Sequence, residues 1–350
     1  MRNAADPSFA SDNTAAIHPR ILEAIRRANH HGQKPYGHDT ITLEAEKLFR
    51  KSFGKQARVA FAFNGTGANV LGLATLLKSH EAILCAERAH IVEDECGAVE
   101  KILGSKTAPV PHRNGKLTPE LLESKLGRQG DEHHVQYRVV SITQSTELGT
   151  VYEPKEVREL SRFCKKHDLF LHLDGARLSN ACATLGCDFG DVTTGAGVDV
   201  ASLGGTKNGL MLGESTVVLN PRLPADLLFR RKQMMQLYSK MRFVSAQFIE
   251  FFKDDFWREQ AEHANGMAKV LRRKLEDVGG IQFTQKTQVN GLFFRMDRRW
   301  AERVKKKYFF YTWTERPGER VSEFRLMASF STRLETVDDL VSTFRKTKRG

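Results

Sequence analysis

Between about residue 58 and residue 220 the chain alternates short apolar runs with stretches whose apolar residues recur at helical spacing. The runs RVAFAF (58–63), AILCAE (82–87), YRVVSIT (137–143), LFLHLD (169–174), VDVASLG (198–204) and STVVLN (215–220) predict buried strands. Among the intervening stretches, PKEVRELSRFCKKHD opens on a proline and puts Val157, Leu160, Phe163 and Cys164 on one helical face. Strands and helices alternating at this spacing predict an α/β fold with a mostly parallel sheet covered on both faces. After Arg222 the pattern changes to a long polar helical stretch, then IQFT, GLFFRM and EFRLMASF, with a final helix over 336–349. The chain therefore divides into a large domain over 1–235 and a smaller α+β domain over 236–350.

In an open α/β sheet the ligand crevice lies beyond the carboxyl ends of the strands, so the residues after each run carry the candidate chemistry. The first run leads into NGTGAN (64–69), small residues opening a helix, as where backbone N–H groups are aimed at a phosphate. Ordinary tight turns use the same residues. The second run leads to His90, the fourth ends on Asp174 followed by Gly175, Ala176 and Arg177, and the fifth leads through small residues to Lys207. Taken singly, Lys207 reads as a solvated loop lysine and His90 as a structural histidine. Yet Asp174 and Lys207 stand 33 residues apart, about one βαβ step, which puts an acid and an amine at nearby strand ends. A phosphate cradle, an acid for a ring nitrogen and an amine for an aldehyde are together what pyridoxal 5′-phosphate requires. The amine must give up its proton to react, which desolvation and a cationic neighbour bring about.

Bulk properties narrow the alternatives. The 350 residues are 40% hydrophobic and 27% charged, an ordinary globular composition. No apolar stretch reaches the roughly 18 to 20 residues that span a bilayer, and the first residues lack a secretory pattern, so a cytoplasmic protein is expected. Five irregularly spaced cysteines without a C-x-x-C read as reduced thiols, and no metal site is expected. The net charge of +12 invites a nucleic-acid partner. Much of it, however, sits in RRWAERVKKK (298–307) and RKTKRG (345–350), helix faces and a tail without a binding module, so the expectation is solvated charge and no nucleic acid.

At these residues the chain resembles the low-specificity L-threonine aldolases, fold-type I (aspartate aminotransferase-like) pyridoxal phosphate enzymes of the β-eliminating lyase group. The likeness runs through FASDNTAAIHPRILEAI (9–25), PYGHD (35–39), NGTGAN, HHVQYRVVSITQSTELGTVY (133–152), HLDGARLSNA (172–181) and SLGGTKNG (202–209) to the segment around Arg325. Its most specific part is D-G-A-R followed by G-G-T-K-N-G at this spacing. The resemblance implies that Lys207 holds the cofactor covalently, Asp174 pairs with its pyridine nitrogen, His90 stacks on the ring, and Gly65 and Thr66 hold the phosphate. It implies that Arg177 and Arg325, aided by Ser11, bind the substrate carboxylate through guanidinium forks, Arg177 also bordering the cofactor. His134 would stand near the substrate hydroxyl, completing a catalytic set with Lys207 and His90. Tyr36 and Arg242 would reach a neighbouring subunit's site, on its substrate and cofactor sides, which implies a homodimer or homotetramer. Plainer readings stand beside these: a buried ion-pair partner for Arg177, a turn residue for Ser11, a strand-entry histidine for His134, a turn aromatic for Tyr36 and an exposed helix charge for Arg242. Alternation puts Arg325 on the strand face opposite Phe324 and Leu326.

The implied reaction is retro-aldol cleavage of L-threonine, L-allo-threonine and related β-hydroxy-α-amino acids to glycine and an aldehyde, in threonine breakdown and glycine formation. Its base is left open between His134, a bound water and another group. β-Elimination or racemisation on the same cofactor, and a non-catalytic basic binding protein, are the competing readings.

Overall fold

The computed structural model describes residues 8–315 and 317–348. Seven strands form the main sheet: β1 (Arg58–Ala62), β2 (Glu81–Ala86), β3 (Lys106–Val110), β4 (Gln136–Thr143), β5 (Phe170–Asp174), β6 (Val200–Gly204) and β7 (Glu214–Val218). Their spatial order is β1-β7-β6-β5-β4-β2-β3. Strands β3, β2, β4, β5 and β6 are parallel, and β7 is antiparallel to both β6 and β1. Two reversals restore the direction, so β1 points the same way as β6. The carboxyl ends of β1, β2, β4, β5 and β6 thus open on one edge of the sheet. All six runs read from the sequence are strands. The pattern does not reveal β3, because KTAPV is a half-exposed edge strand whose Pro109 needs no second ladder partner.

Helices cover both faces. Pro154–Lys166 begins with a capping box between Glu153 and Glu156 and ends on Lys165 and Lys166, which suit the negative end of the helix dipole. Its Val157, Leu160, Phe163 and Cys164 are buried, as the period requires. The helix Gly65–Ala74 contains three glycines and is a poor helix former by composition; burial of Ala68 through Ala74 holds it instead. Gly72 lets it approach the sheet, where a Cβ would already stand 3.1 Å from Val200 and 3.3 Å from His172.

A second sheet contains β8 (Gln282–Phe283), β9 (Gly291–Asp297), β10 (Tyr311–Thr314) and β11 (Val321–Met327), antiparallel in the order β10-β11-β9-β8. The boundary expected at residue 236 does not coincide with the change of hydrophobic core. Helix Arg242–Phe252 puts Val244, Phe248 and Phe251 into the same core as Phe49 and Phe61. The change of core falls inside the long helix Phe256–Glu276: Phe256 and Trp257 belong to the first core, and Ala268, Leu271 and Leu275 to the second. A continuous helical period carries no mark at such a point, so the sequence pattern could not locate it. Phe9 also enters the second core, with its N–H donating to the Phe309 carbonyl at 2.9 Å and its own carbonyl accepting from Met327 N–H at 2.7 Å. This anchors Ser11 and Asp12 between the domains. Among the described residues no helix is long and apolar enough to cross a membrane.

Candidate active site

Asp174 ends β5 and is buried at the carboxyl edge of the sheet. Its Oδ1 accepts from Ala176 N–H at 2.9 Å and its Oδ2 from the Asn69 side-chain amide at 2.8 Å. The Asn69 amide also donates to Glu95 Oε1 at 2.9 Å, and that same oxygen meets His90 Nδ1 at 2.8 Å. Asn69 therefore ties the acid after one strand to the histidine after another. Burial pushes the Asp174 carboxyl up, but His90, the Ala176 amide, Asn69 and Lys207 outweigh it and hold the group below the usual carboxylate range. For His90 the hydrogen bond to Glu95 dominates burial, and the imidazole is raised above its ordinary value.

Lys207 lies in the short 3₁₀ turn Thr206–Asn208 after β6. Among the described residues its Nζ makes no hydrogen bond or ion pair. Burial lowers its affinity for a proton, and the Arg177 cation lowers it further against the opposing pull of Asp12, Glu214 and Asp174. The small neighbours of Lys207 are required by packing. A Cβ on Gly204 would stand 2.7 Å from the Ala176 carbonyl oxygen and 2.8 Å from Glu214 Oε2, and one on Gly205 would overlap Leu210. On the facing loop, a Cβ on Gly175 would overlap the Ser202 carbonyl oxygen, so only glycine lets the Asp174 and Lys207 loops touch. Gly175→Ala should therefore shift backbone and cost about 1–3 kcal/mol or more in urea unfolding, with loss of the Asp174 geometry. A variant as stable as the parent would refute the close approach.

Across the cleft, Arg177 Nε and Nη2 form a fork onto Asp12 at 2.7 and 2.9 Å, and Asn290 adds a hydrogen bond to Asp12 Oδ2 at 3.0 Å. The fork aims Arg177 while leaving Nη1 without a hydrogen-bond partner among the described residues. Burial raises the Asp12 carboxyl, yet the Arg177 cation and its hydrogen bonds hold it below the ordinary range. Arg325 stands on β11 on the face opposite Phe324 and Leu326, both of which are in the second core, as alternation requires. One Nη donates to the Ala10 carbonyl at 3.0 Å, whereas its buried Nε has no partner. Its guanidinium lies 4.6 Å from the Trp313 ring centroid. Burial, followed by the Arg177 charge, pushes Arg325 down to about 10. Two crowded, under-satisfied guanidinium groups create a place for an anion. Both line one cleft with His90, Glu147, Asn290 and Trp313.

At the other side of Lys207, Gly65 and Thr66 open the helix after β1. Asn64 caps it by accepting from Gly67 N–H at 2.7 Å, whereas the N–H groups of Gly65 and Thr66 have no partner among the described residues. A Cβ on Gly65 would meet nothing within 4 Å, so there is open space at Gly65, whereas a Cβ on Gly67 would stand 2.9 Å from the Gln236 side-chain amide.

The sequence-derived residues thus converge unevenly. Lys207, Asp174, His90, Arg177, Arg325, Gly65 and Thr66 gather at one edge, and Ser11 is adjacent through Asp12, capping the 3₁₀ turn Asp12–Thr14. His134 does not join them within this chain. It lies before the amino end of β4, beside Asp131, and the 8-residue strand separates it from the cleft edge by roughly 25 Å. Tyr36 and Arg242 lie in one surface region, the Tyr36 N–H donating to Ser239 at 3.0 Å and Arg242 Nε to Ala28 at 3.2 Å, and neither contacts Lys207 or Asp174. Sequence reasoning missed Asp12, Asn69, Glu95, Glu147 and Asn290. Asp12 stands inside the quoted ASDNT and Asn69 one turn into the glycine-led helix, so position could have flagged those two; nothing local marks the others.

Residues 8–298 match the beta-eliminating lyase family. A Pseudomonas sp. (strain NCIMB 10558) protein named low specificity L-threonine aldolase is 41% identical over 339 residues, covering 96% of each chain. A threonine aldolase structure from Leishmania major superposes with a TM-score of 0.92 at 30% identity, over 97% of this chain and 99% of that one. Serine palmitoyltransferase of Sphingomonas wittichii shares the fold alone, with a TM-score of 0.73 at 16% identity over 97% of this chain and 86% of that one.

Proposed function

The chain belongs to the beta-eliminating lyase family, and we propose that it is a pyridoxal 5′-phosphate-dependent aldehyde-lyase cleaving L-threonine, L-allo-threonine and related β-hydroxy-α-amino acids to glycine and an aldehyde. The observation that carries this reading is the unpartnered Lys207 amine facing a buried, ionised Asp174 across two touching glycine loops. The donor set fits the cofactor: Lys207 for the aldehyde, Asp174 for the ring nitrogen, His90 for the ring face, and, for the phosphate, the open space at Gly65 with the Gly65 and Thr66 N–H groups, which have no partner among the described residues. When bound, the cofactor supplies an aldehyde for the substrate amine and an electron-poor ring for the electron pair left on Cα. Arg177 Nη1 and Arg325 hold the substrate carboxylate, which relieves the crowding of two half-buried cations. Lys207, with its lowered proton affinity, carries protons at Cα. Asp174 remains an anion through the cycle because its surroundings favour that form.

The test is incubation with each threonine stereoisomer, with glycine and acetaldehyde measured separately. Both L-threonine and L-allo-threonine should react and D-threonine should not. 2-Oxobutanoate with ammonia, or a D-amino acid, in place of glycine and aldehyde would favour elimination or racemisation instead.

The same reading includes sites shared between subunits of a dimer or a pair of dimers, with Tyr36 and Arg242 reaching the neighbour. Mixing inactive Lys207→Ala subunits with inactive Arg242→Ala subunits should restore up to about a quarter of parental activity after exchange, since some hybrid sites hold both intact residues. No recovery despite demonstrated exchange would remove Arg242 from the neighbouring site. A cytoplasmic location accords with five cysteines that are all free thiols.

A further inference from the structure

We propose that Glu147 is the catalytic base that takes the β-hydroxyl proton of the substrate, a role that rests on the lyase reading above. Glu147 follows β4 and lines the same cleft as His90, Arg177 and Arg325. Its Oε1 is committed, accepting from Thr143 Oγ1 at 2.7 Å and from His90 N–H at 3.0 Å. Its Oε2 makes no hydrogen bond among the described residues and is not sealed from the cleft. One oxygen anchors the group and the other is free to accept.

The remaining charged groups facing this point are unsuited to the task. Arg177 and Arg325 can only donate. Asp174 has an oxygen on Ala176 and the other on Asn69, and it belongs to the ring-nitrogen side. His90 is fastened through Nδ1 to Glu95, a contact that raises its proton affinity, and its ring is assigned to the cofactor face. Asp94 is exposed at the cleft rim. Burial raises the Glu147 carboxyl to about 7; the hydrogen bonds from Thr143 and His90 oppose the rise and the Asp174 charge adds to it. Cys85 and Tyr152 beside it are pushed up by burial and stay neutral. A carboxyl titrating near neutrality combines a useful ionised fraction with real proton affinity.

The step balances without a co-reactant. The O–H bonding pair becomes the second C–O bond of the aldehyde, its proton moves to Glu147, and the Cα–Cβ pair stays with Cα. A proton delivered to Cα completes glycine, and Glu147 releases its own to solvent, so there is no net oxidation or reduction.

Glu147→Gln preserves the shape and the acceptor for Thr143 and His90 but removes the base. In the cofactor-loaded protein, threonine cleavage should fall by about 10²–10⁴-fold, whereas exchange of the glycine α-hydrogen in D₂O, which needs no hydroxyl base, should change by only a few-fold. Infrared titration of the cofactor-free protein should lose one carboxyl signal with a midpoint near 7; Glu214, also raised to about 7, keeps a second. Unchanged cleavage in Glu147→Gln would overturn the assignment, as would equal loss of cleavage and exchange with cofactor still bound. Selective loss of cleavage in His90→Asn with Glu147→Gln active would transfer the role to His90. If the parental protein exchanges glycine but releases no aldehyde from any β-hydroxy amino acid, the lyase reading itself fails.

Discussion

Lys207→Ala is expected to lose at least ~10³-fold in turnover, about 4 kcal/mol of barrier, while the protein stays folded. Among the described residues the side chain makes no hydrogen bond or ion pair, so its removal leaves none of their hydrogen-bonding groups unsatisfied. It also takes away a cation that burial and Arg177 already disfavour, so the unfolding midpoint should stay level or rise. Borohydride treatment followed by mass spectrometry of the peptide is the direct check: the parent should carry cofactor mass on Lys207 and the variant none. Retained turnover, or covalent cofactor at another lysine, would remove Lys207 from the mechanism. The sign of the pH effect follows from the same surroundings. Because the amine's proton affinity is lowered, its reactive neutral form is lost only when pH falls below that lowered value, so activity should persist to a pH at which an ordinary lysine would be fully protonated.

Asp174→Asn should keep the fold and the cofactor but lose about 10²–10³-fold in turnover, the scale on which one preorganised electrostatic contact acts. The amide retains a carbonyl to accept from Ala176 or Asn69, but it cannot be an anion. His90 loses one of the charges that raise it, so its titration should shift downward in the variant, an effect visible by NMR independently of activity. A second consequence concerns the two donors: the Asn69 amide would face an –NH₂ unless the new side chain turns, and one such buried mismatch costs about 1–3 kcal/mol. Near-parental turnover would show that the negative charge at this position is dispensable.

Much of this architecture is legible in the linear order of residues. The six apolar runs become strands because burial on both faces demands apolar side chains on both, and the strand-end rule then points to Asp174, Lys207, His90 and the glycine turn as neighbours. Glycine after Asp174 and two glycines before Lys207 signal a close backbone approach, and the overlap of any Cβ on Gly175 with the Ser202 carbonyl gives that signal its physical cause. Alternation around Arg325 puts it opposite Phe324 and Leu326, whereas which of the two faces borders the cleft came only from the fold.

What the order of residues could not convey depends on contacts made across long separations. Asp12 orients Arg177 over a separation of 165 residues, and Asn69 joins Asp174 over 105; no local period encodes such pairs. His134 has the residue type for catalysis but stands at the amino end of β4, away from this chain's own cleft, a placement set by strand direction rather than by composition. The change from one core to the other hides inside one uninterrupted helix, because the two cores divide its length without breaking its period. Glu147 resembles any surface glutamate until folding withdraws it from water, and that desolvation, a property of the assembled cleft, is what raises its carboxyl toward neutrality. Residue identity and spacing thus determined which chemical groups the protein owns and which strand ends present them, while tertiary packing alone decided which groups are aimed, which are desolvated and which are left out, because direction and dielectric arise only when distant segments enclose a common space.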